Sequence, residues 1–107
     1  MLFVATPEII QTYINHIPRG EFRTIHRIRN ELARKHHCDA TCPVSTAIFI
    51  RKIAENALLE LQNGKPAEQI TPFWRVLAPD SKIVKKLAID TAWLLQMQML
   101  EGIKFST

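Results

Sequence analysis

Side chains that could bind a metal or act as nucleophiles are concentrated in one short segment near the middle of the chain. The segment reads His36-His37-Cys38-Asp39, with Cys42 following, and zinc prefers imidazole, thiolate and carboxylate ligands. A structural zinc site needs a tetrahedral arrangement, usually built from two paired clusters, and the sequence has no second cluster. We therefore expect a turn between two helices here, with no bound metal and no other cofactor.

Cys42 is the candidate nucleophile of the chain. It directly precedes Pro43, a residue type favoured at the first position of a helix, and the positive end of a helix dipole favours a thiolate. A small buried cysteine is the commoner outcome for this residue type. The sequence leaves both interpretations open, a reactive thiol with a lowered pKa and an inert one. A disulfide between Cys38 and Cys42 would close a very small loop and is not expected.

Positive charge is concentrated between Arg19 and His37. The chain has a net charge of +4, and this stretch alone carries six basic residues against two acidic ones. A surface that binds nucleic acid needs such a concentration, because each Lys or Arg that neutralises a phosphate releases counterions. The alternative is a helix face that is merely solvated. The basic residues are Arg19, Arg23, Arg27, Arg29, Arg34 and Lys35.

The aromatic pair in Pro72-Phe73-Trp74-Arg75-Val76 could also bind a nucleic acid. Exposed in a cleft, each ring could stack on a base, which is worth about 1 to 3 kcal/mol per base. Buried, the rings would only fill core volume. The run Thr71 to Leu77 is rich in aromatic and branched residues, which favours a strand. Alternation along a strand would bury one ring and partly expose the other.

Caps, stops and apolar periodicity predict the elements that position these residues. The predicted helices run from Thr6 to Ile17, from Thr24 to His36 or His37, from Pro43 to Asn63-Gly64, and from about Asp90 to Glu101. The residues expected to face the core are Ile9, Ile10, Tyr13, Ile14 and Ile17, then Ile25, Ile28, Leu32 and Ala33, then Ala47, Ile48, Ile53, Ala54, Ala57, Leu58 and Leu61. Between the third and last helices, Thr71–Leu77 and Ile83-Val84 are predicted to pair as a β-hairpin.

These elements predict one domain over residues 1–107, mainly α with a small β-hairpin wing. Two helices joined by a short turn and followed by a hairpin describe a winged helix-turn-helix. No apolar run reaches the roughly 18 residues of a membrane span, and the amino terminus lacks the pattern of a secretory signal. We therefore expect a cytoplasmic protein that does not contact a membrane. The last helix is apolar on more than one side, so a monomer or a weak homodimer is expected.

Two segments, Ile17-Pro18-Arg19-Gly20 and Pro72-Phe73-Trp74-Arg75-Val76, resemble the DNA-binding domain of the O6-alkylguanine DNA alkyltransferases. The resemblance spans roughly residues 1 to 103. The reactive segment of that family reads Pro-Cys-His-Arg-Val, so Phe73 falls at the position of the alkyl-accepting cysteine and Trp74 at the position of the histidine. A phenyl ring cannot attack carbon and an indole cannot take the proton. The resemblance therefore implies a protein without this catalysis.

Positions that would recognise a damaged base also depart from the family. In the family a recognition helix enters the minor groove, its arginine fills the gap in the base stack, and a tyrosine helps to turn the guanine out into the pocket. Here Ile25 follows Thr24 where the family has the tyrosine, and Thr46 or Ala47 stands where it has the arginine. Alkyltransferase-like proteins, which bind alkylated DNA without repairing it and hand it to excision repair, are the nearer comparison.

The sequence and the resemblance together predict a non-enzymatic protein that binds double-stranded DNA, with alkylated guanine as a candidate ligand and a repair protein as a candidate partner. The predicted DNA-binding residues are Arg19, Arg23, Thr24, Arg27, Ser45 and Thr46, and the predicted base-pocket residues are Ile25, Phe73, Trp74 and Arg75. The alternatives are a protein-interaction module with a sealed pocket, and an enzyme that uses Cys42.

Overall fold

Five α-helices and a two-stranded sheet make up the part of the chain that the computed structural model describes, residues 2–87 and 89–103. The ends of the predicted domain, residue 1 and residues 104–107, lie outside the described residues. The mainly α prediction is confirmed. The elements are β1 Leu2–Phe3, α1 Pro7–Asn15, α2 Ile25–Lys35, β2 Ala40–Thr41, α3 Pro43–Gln62, α4 Lys82–Lys86 and α5 Thr91–Leu100, with 3-10 turns at Ala67–Gln69 and Phe73–Arg75.

The helices begin where the sequence places their caps. The Thr6 hydroxyl accepts a hydrogen bond from the amide of Ile9 at 3.3 Å, and the Thr24 hydroxyl accepts one from the amide of Arg27 at 3.1 Å. A hydroxyl that accepts from the first turn satisfies an amide with no partner inside the helix. At the far end of α3, Gly64 has a φ of +96°, the left-handed conformation that ends helices.

The core lies where α1, α2 and α3 meet the segment after α3 and one side of α5. Its buried apolar residues are Ala5, Ile10, Ile14, Ile17, Ile28, Leu32, Ile50, Ile53, Ala54, Ala57, Ile70, Phe73, Trp74, Val76, Leu77, Val84, Leu87, Leu94 and Ile103. One inward prediction is wrong, because Ile48 is 48% exposed. Thr46 is buried instead, and its hydroxyl donates to the carbonyl of Cys42 at 2.7 Å, which satisfies the buried polar group.

The sheet lies elsewhere than predicted. Strands β1 and β2 pair in parallel, with Leu2 opposite Ala40 and Phe3 opposite Thr41. The amide of Cys42 extends this pairing by donating to the carbonyl of Phe3 at 2.8 Å. The strand therefore occupies part of the α2–α3 connection, which is longer than the short turn that the sequence predicted.

The first predicted hairpin strand, Thr71–Leu77, contains the 3-10 turn Phe73–Arg75. Two of its backbone bonds are local, since the amides of Val76 and Leu77 both donate to the carbonyl of Phe73, at 3.1 and 3.2 Å. Another bond joins the carbonyl of Arg75 to the amide of Arg23 at 2.9 Å without forming a strand pair. β-Propensity reflects burial against neighbours more than a backbone preference. Burial therefore explains why this segment has the apolar composition of a strand although it does not pair as one.

The second predicted strand, Ile83-Val84, lies inside the short helix α4. The Ser81 hydroxyl accepts from the amide of Val84 at 3.2 Å and caps this helix. Val84 is buried and Ile83 is partly buried. Local capping therefore favours a helix here over the predicted strand.

No helix in the described residues is both long and apolar enough to cross a membrane.

Candidate functional site

The two segments that carry the resemblance meet at the carboxylate of Glu101, just after α5. Arg75 donates from Nε and Nη2 to the two carboxylate oxygens of Glu101, each at 2.9 Å, and from Nη1 to the carbonyl of Ile17 at 2.8 Å. The amide of Gly20 donates to the same carboxylate at 3.3 Å, and the indole Nε1 of Trp74 donates to it at 2.8 Å. Arg75, predicted as a base-pocket residue, therefore uses its donors to link the 3-10 turn to the end of α1 and the end of α5.

Gly20 fits this junction because its backbone conformation and its surroundings both exclude a side chain. Its φ is +89°, and a Cβ atom would lie 3.0 Å from the carbonyl oxygen of Glu101. Only glycine adopts such a conformation without strain. The loop after Pro18 can therefore approach the end of α5 closely enough to donate its amide.

The carboxylate of Glu101 is held in its ionised form. Its side chain is 5% exposed, and burial alone would raise its pKa. The hydrogen bonds from Arg75, Trp74 and Gly20 and the charge of Arg75 outweigh burial, so the pKa of Glu101 lies below its ordinary value. The junction is thus a buried ion pair whose oxygens are already satisfied.

Phe73 and Trp74 are both buried, at 0% and 3% exposure, which corrects the prediction that one ring would be partly exposed. The centroid of the Trp93 ring lies 6.0 Å from each of the Phe73 and Trp74 rings, and these two rings meet edge to face at 5.5 Å. The 3-10 turn packs against α3 and α5, so both of its sides face the core. No stacking surface for a base is open at these two positions.

A cleft of about 700 Å³ lies beside Trp74 and Arg75. Its floor is the Glu101 junction, whose donors and acceptors bond to one another. The polar groups left to a ligand are on the rim, where Arg19 faces the cleft together with Asn15, Glu68 and Gln69. The cleft therefore offers space but few convergent free hydrogen-bonding groups.

The basic stretch divides into residues that fold inward and residues that stay exposed. Arg23 is 18% exposed, lies over the Tyr13 ring with 5.5 Å between the guanidinium carbon and the ring centroid, and pairs with Glu21 at 3.4 Å. Arg29 donates from Nε to the carbonyl of Thr41 at 3.3 Å. Arg23 is therefore less available for a phosphate contact than the sequence suggested, because its guanidinium already lies against Tyr13 and Glu21. Arg19, Arg27, Arg34 and Lys35 are exposed.

Contacts with Tyr13 keep the side chain of Arg23 against α1. Its hydroxyl donates to the carboxylate of Glu31 and receives a long bond of 3.4 Å from Nη1 of Arg23. Burial, followed by the contact with Glu31, raises the pKa of Tyr13. Arg27 approaches the same carboxylate at 3.3 Å while remaining 54% exposed. These side chains link α1 to α2.

The other residues predicted to contact DNA or to line the base pocket differ in their exposure to solvent. Thr24 and Ser45 are wholly or partly accessible, although the Thr24 hydroxyl caps α2. Thr46 is buried and cannot reach a duplex in this conformation, which corrects its assignment. Ile25 is partly buried against the core. The large apolar side chains that the first turns of α3 expose are Val44 and Ile48, at 66% and 48%.

Cys42 stands at the start of α3 as predicted, and its thiol accepts a hydrogen bond from the Ser45 hydroxyl at 3.4 Å. That bond, with backbone amides of α3 and the nearby charge of Arg29, lowers the pKa of the Cys42 thiol. Among the described residues no group of three His, Cys, Asp or Glu side chains could hold a metal ion.

Sequence reasoning missed Glu101 and Gln98. Gln98 is buried on α5 and donates from Nε2 to the carbonyls of Trp74 and Leu77, at 3.0 and 2.8 Å. One signal was available, because a carboxylate at the carboxyl end of a helix is disfavoured by the helix dipole. An acid at that position, after a helix without charged residues, indicates a cationic partner elsewhere in the fold.

Comparison of the chain with protein-family models, with curated proteins and with solved structures found no significant match.

Proposed function

We propose that this protein binds duplex DNA without catalysing a reaction, through the cationic residues that stay exposed along α2 and in the loop before it. The observation that carries the proposal is the placement of Arg27 and Arg34 on the solvent side of α2, opposite the buried Ile28 and Leu32. Two helical turns separate the two arginines, about 10.5 Å along the axis. Side chains at this spacing can contact separate phosphates of one backbone.

The absence of alkyl transfer is part of the same proposal. Phe73 fills the position of the cysteine in the resembling family, and Trp74 donates its only polar hydrogen to Glu101. Neither side chain can serve as a nucleophile or a proton acceptor. In this chain Arg75 and Glu101 tie the two resembling segments together, and neither Phe73 nor Trp74 supplies a group that would react.

Binding should be general for duplex DNA. Both aromatic rings are buried, so a base turned out of the helix would have to open the core to reach them. The energy of extrusion, a few kcal/mol, would then have no compensating stack. We therefore expect similar affinities for plain duplexes and for duplexes that carry an alkylated guanine.

A titration of a labelled duplex at two salt concentrations tests the function. Neutralising both arginines in an Arg27→Gln, Arg34→Gln variant should reduce the slope of log affinity against log salt by about 2, since each phosphate contact contributes roughly 0.9. A matched variant that removes Lys65, which pairs with Glu60 at 2.9 Å on another part of the surface, should leave the slope unchanged. No saturable binding by the wild type at low salt would exclude the proposal.

A second candidate function, a protein-interaction module, is favoured by the exposed side of α5. Leu95, Met99 and Leu100 are 41%, 77% and 63% exposed, on a helix with no charged residue. If α5 mediates self-association, the molecular mass in solution should rise with protein concentration. If it binds another protein, that partner should be lost when the exposed side of α5 is changed. A Leu95→Gln, Met99→Gln variant, which adds no charge, would weaken that association without affecting DNA binding.

A further inference from the structure

Helix α4, where the sequence predicted a strand, carries a cluster of positive charge. Lys82, Lys85 and Lys86 are all exposed, while Val84 faces the core. Residues three and four apart on a helix are neighbours, so the three ammonium groups lie on adjacent parts of one surface. In the described part of the chain none of them forms an ion pair.

The stability of α4 does not account for all three lysines. Lys85 and Lys86 lie in the last turn, where a cation is favoured by the helix dipole. Lys82 is the first residue of the helix, where a cation is disfavoured, and its i+3 and i+4 neighbours are like charges that repel it. A polyanion would remove this repulsion.

The cluster lies close enough to the start of α2 for one duplex to contact both. The amide of Arg23, just before α2, donates to the carbonyl of Arg75 at 2.9 Å. Lys82 follows Arg75 by seven residues, which span at most about 25 Å when fully extended. The turn closed by the Ser81 amide on the Ala78 carbonyl, at 3.0 Å, shortens that path. One turn of duplex is about 34 Å long.

We propose that Lys82, Lys85 and Lys86 form a second phosphate-binding patch, which contacts the backbone of the same duplex as the arginines of α2. This inference rests on the duplex-binding function proposed above. The patch binds phosphates as point charges and reads no bases, so it contributes affinity and salt dependence without sequence preference.

The test compares salt dependence in a Lys82→Gln, Lys85→Gln, Lys86→Gln variant and in the wild type. Three lost contacts would reduce the slope by about 2.7, so between 50 and 200 mM salt the wild type should lose about 40-fold more affinity than the variant. Replacing all three lysines by arginine should retain the wild-type slope. Single variants supply the matched control, with Lys82→Gln expected to lower the slope by about 0.9 and Lys65→Gln expected to leave it unchanged.

The outcomes separate this patch from the function on which it rests. If the wild type binds and the triple glutamine variant has the same slope, the patch is excluded and duplex binding stands. If Lys65→Gln lowers the slope as much as Lys82→Gln does, the loss reflects the net charge of the protein and the proposed patch is excluded. If the wild type does not bind, both proposals fail. An unchanged helical circular dichroism and thermal midpoint in each variant show that the substitutions have not unfolded the protein.

Discussion

The guanidinium of Arg75 and the carboxylate of Glu101 form a bidentate ion pair, with both N–O distances at 2.9 Å. The side chains are 15% and 5% exposed. The pair joins the turn after α3 to the end of α5, and through Ile17 and Gly20 it also holds the loop between α1 and α2. Chain segments far apart in sequence are thus fixed to one another at a single carboxylate.

Removing the charge of Glu101 should destabilise the fold strongly. A Glu101→Gln variant leaves Arg75 without its counter-ion in a buried site, which costs about 3 to 5 kcal/mol. Chemical denaturation measures the loss. The control is Glu55→Gln, which breaks the Arg51–Glu55 pair, exposed by 45% at each side chain, and should cost under about 1 kcal/mol. Equal losses in the two variants would contradict this account of the junction.

Acid should weaken the same junction. The pKa of Glu101 is lowered below its ordinary value of 4.5 in the folded chain, so the folded state binds fewer protons than the unfolded state. The stabilisation by Glu101 is fully present above that ordinary value and is lost as the pH falls through the lower folded pKa. The difference in unfolding free energy between the wild type and Glu101→Gln should therefore be constant near neutral pH and shrink below about pH 4.5. A difference that is flat down to the lowest measurable pH would rule this out.

Phe73 should behave as a core residue. Its ring is fully buried against Trp74 and Trp93, so Phe73→Ala should lower the free energy of unfolding by about 3 to 5 kcal/mol through lost burial and a new cavity. Leu59→Ala, at a side chain 56% exposed, should change it by less than about 1 kcal/mol. A cost at Phe73 no larger than at Leu59 would mean that the ring lies in an open pocket.

Arg23 and Arg27 should separate stability from DNA binding. Arg23 lies against Tyr13 and is mostly covered, whereas Arg27 is 54% exposed. Arg23→Gln should lower the thermal midpoint and leave the salt slope of duplex binding intact. Arg27→Gln should leave the thermal midpoint nearly unchanged and lower the salt slope by about 0.9. Parallel thermal melts and duplex titrations measure both, and a salt slope that depends on Arg23 alone would overturn the assignment.

No alkyl group should be transferred to this protein from DNA. The hydrogen bond from Ser45 lowers the pKa of Cys42 and favours its thiolate, but no base pocket is open at Phe73 and Trp74 to hold an alkylated guanine. Incubation with a duplex carrying labelled O6-alkylguanine should therefore leave the intact mass unchanged. A mass increase that disappears in Cys42→Ser would identify this residue as an acceptor and contradict the non-enzymatic proposal.

Local sequence signals predicted four of the five helices in the described residues, with ends correct to within about two residues, because caps and stops act over a short stretch of chain. Thr6, Thr24 and Asn63-Gly64 act through local hydrogen bonds and backbone conformation, which neighbours in the chain suffice to define. The sequence also located the concentration of positive charge and the segment at Phe73 and Trp74. Periodicity correctly placed most of the apolar residues of α1 and α2 in the core.

Which polar and aromatic side chains remain exposed to a ligand depends on tertiary contacts that the sequence does not reveal. Arg23 and Arg27 are alike in sequence, and only the contact of Arg23 with Tyr13 separates them. The segment Thr71–Leu77 has the composition of a strand, yet it packs in the core and contains a 3-10 turn at Phe73–Arg75. No local sequence pattern identifies the partners of Glu101, since they lie 26 to 81 residues away in the chain. Burial and pairing depend on contacts between distant segments, and the folded chain alone brings those segments together.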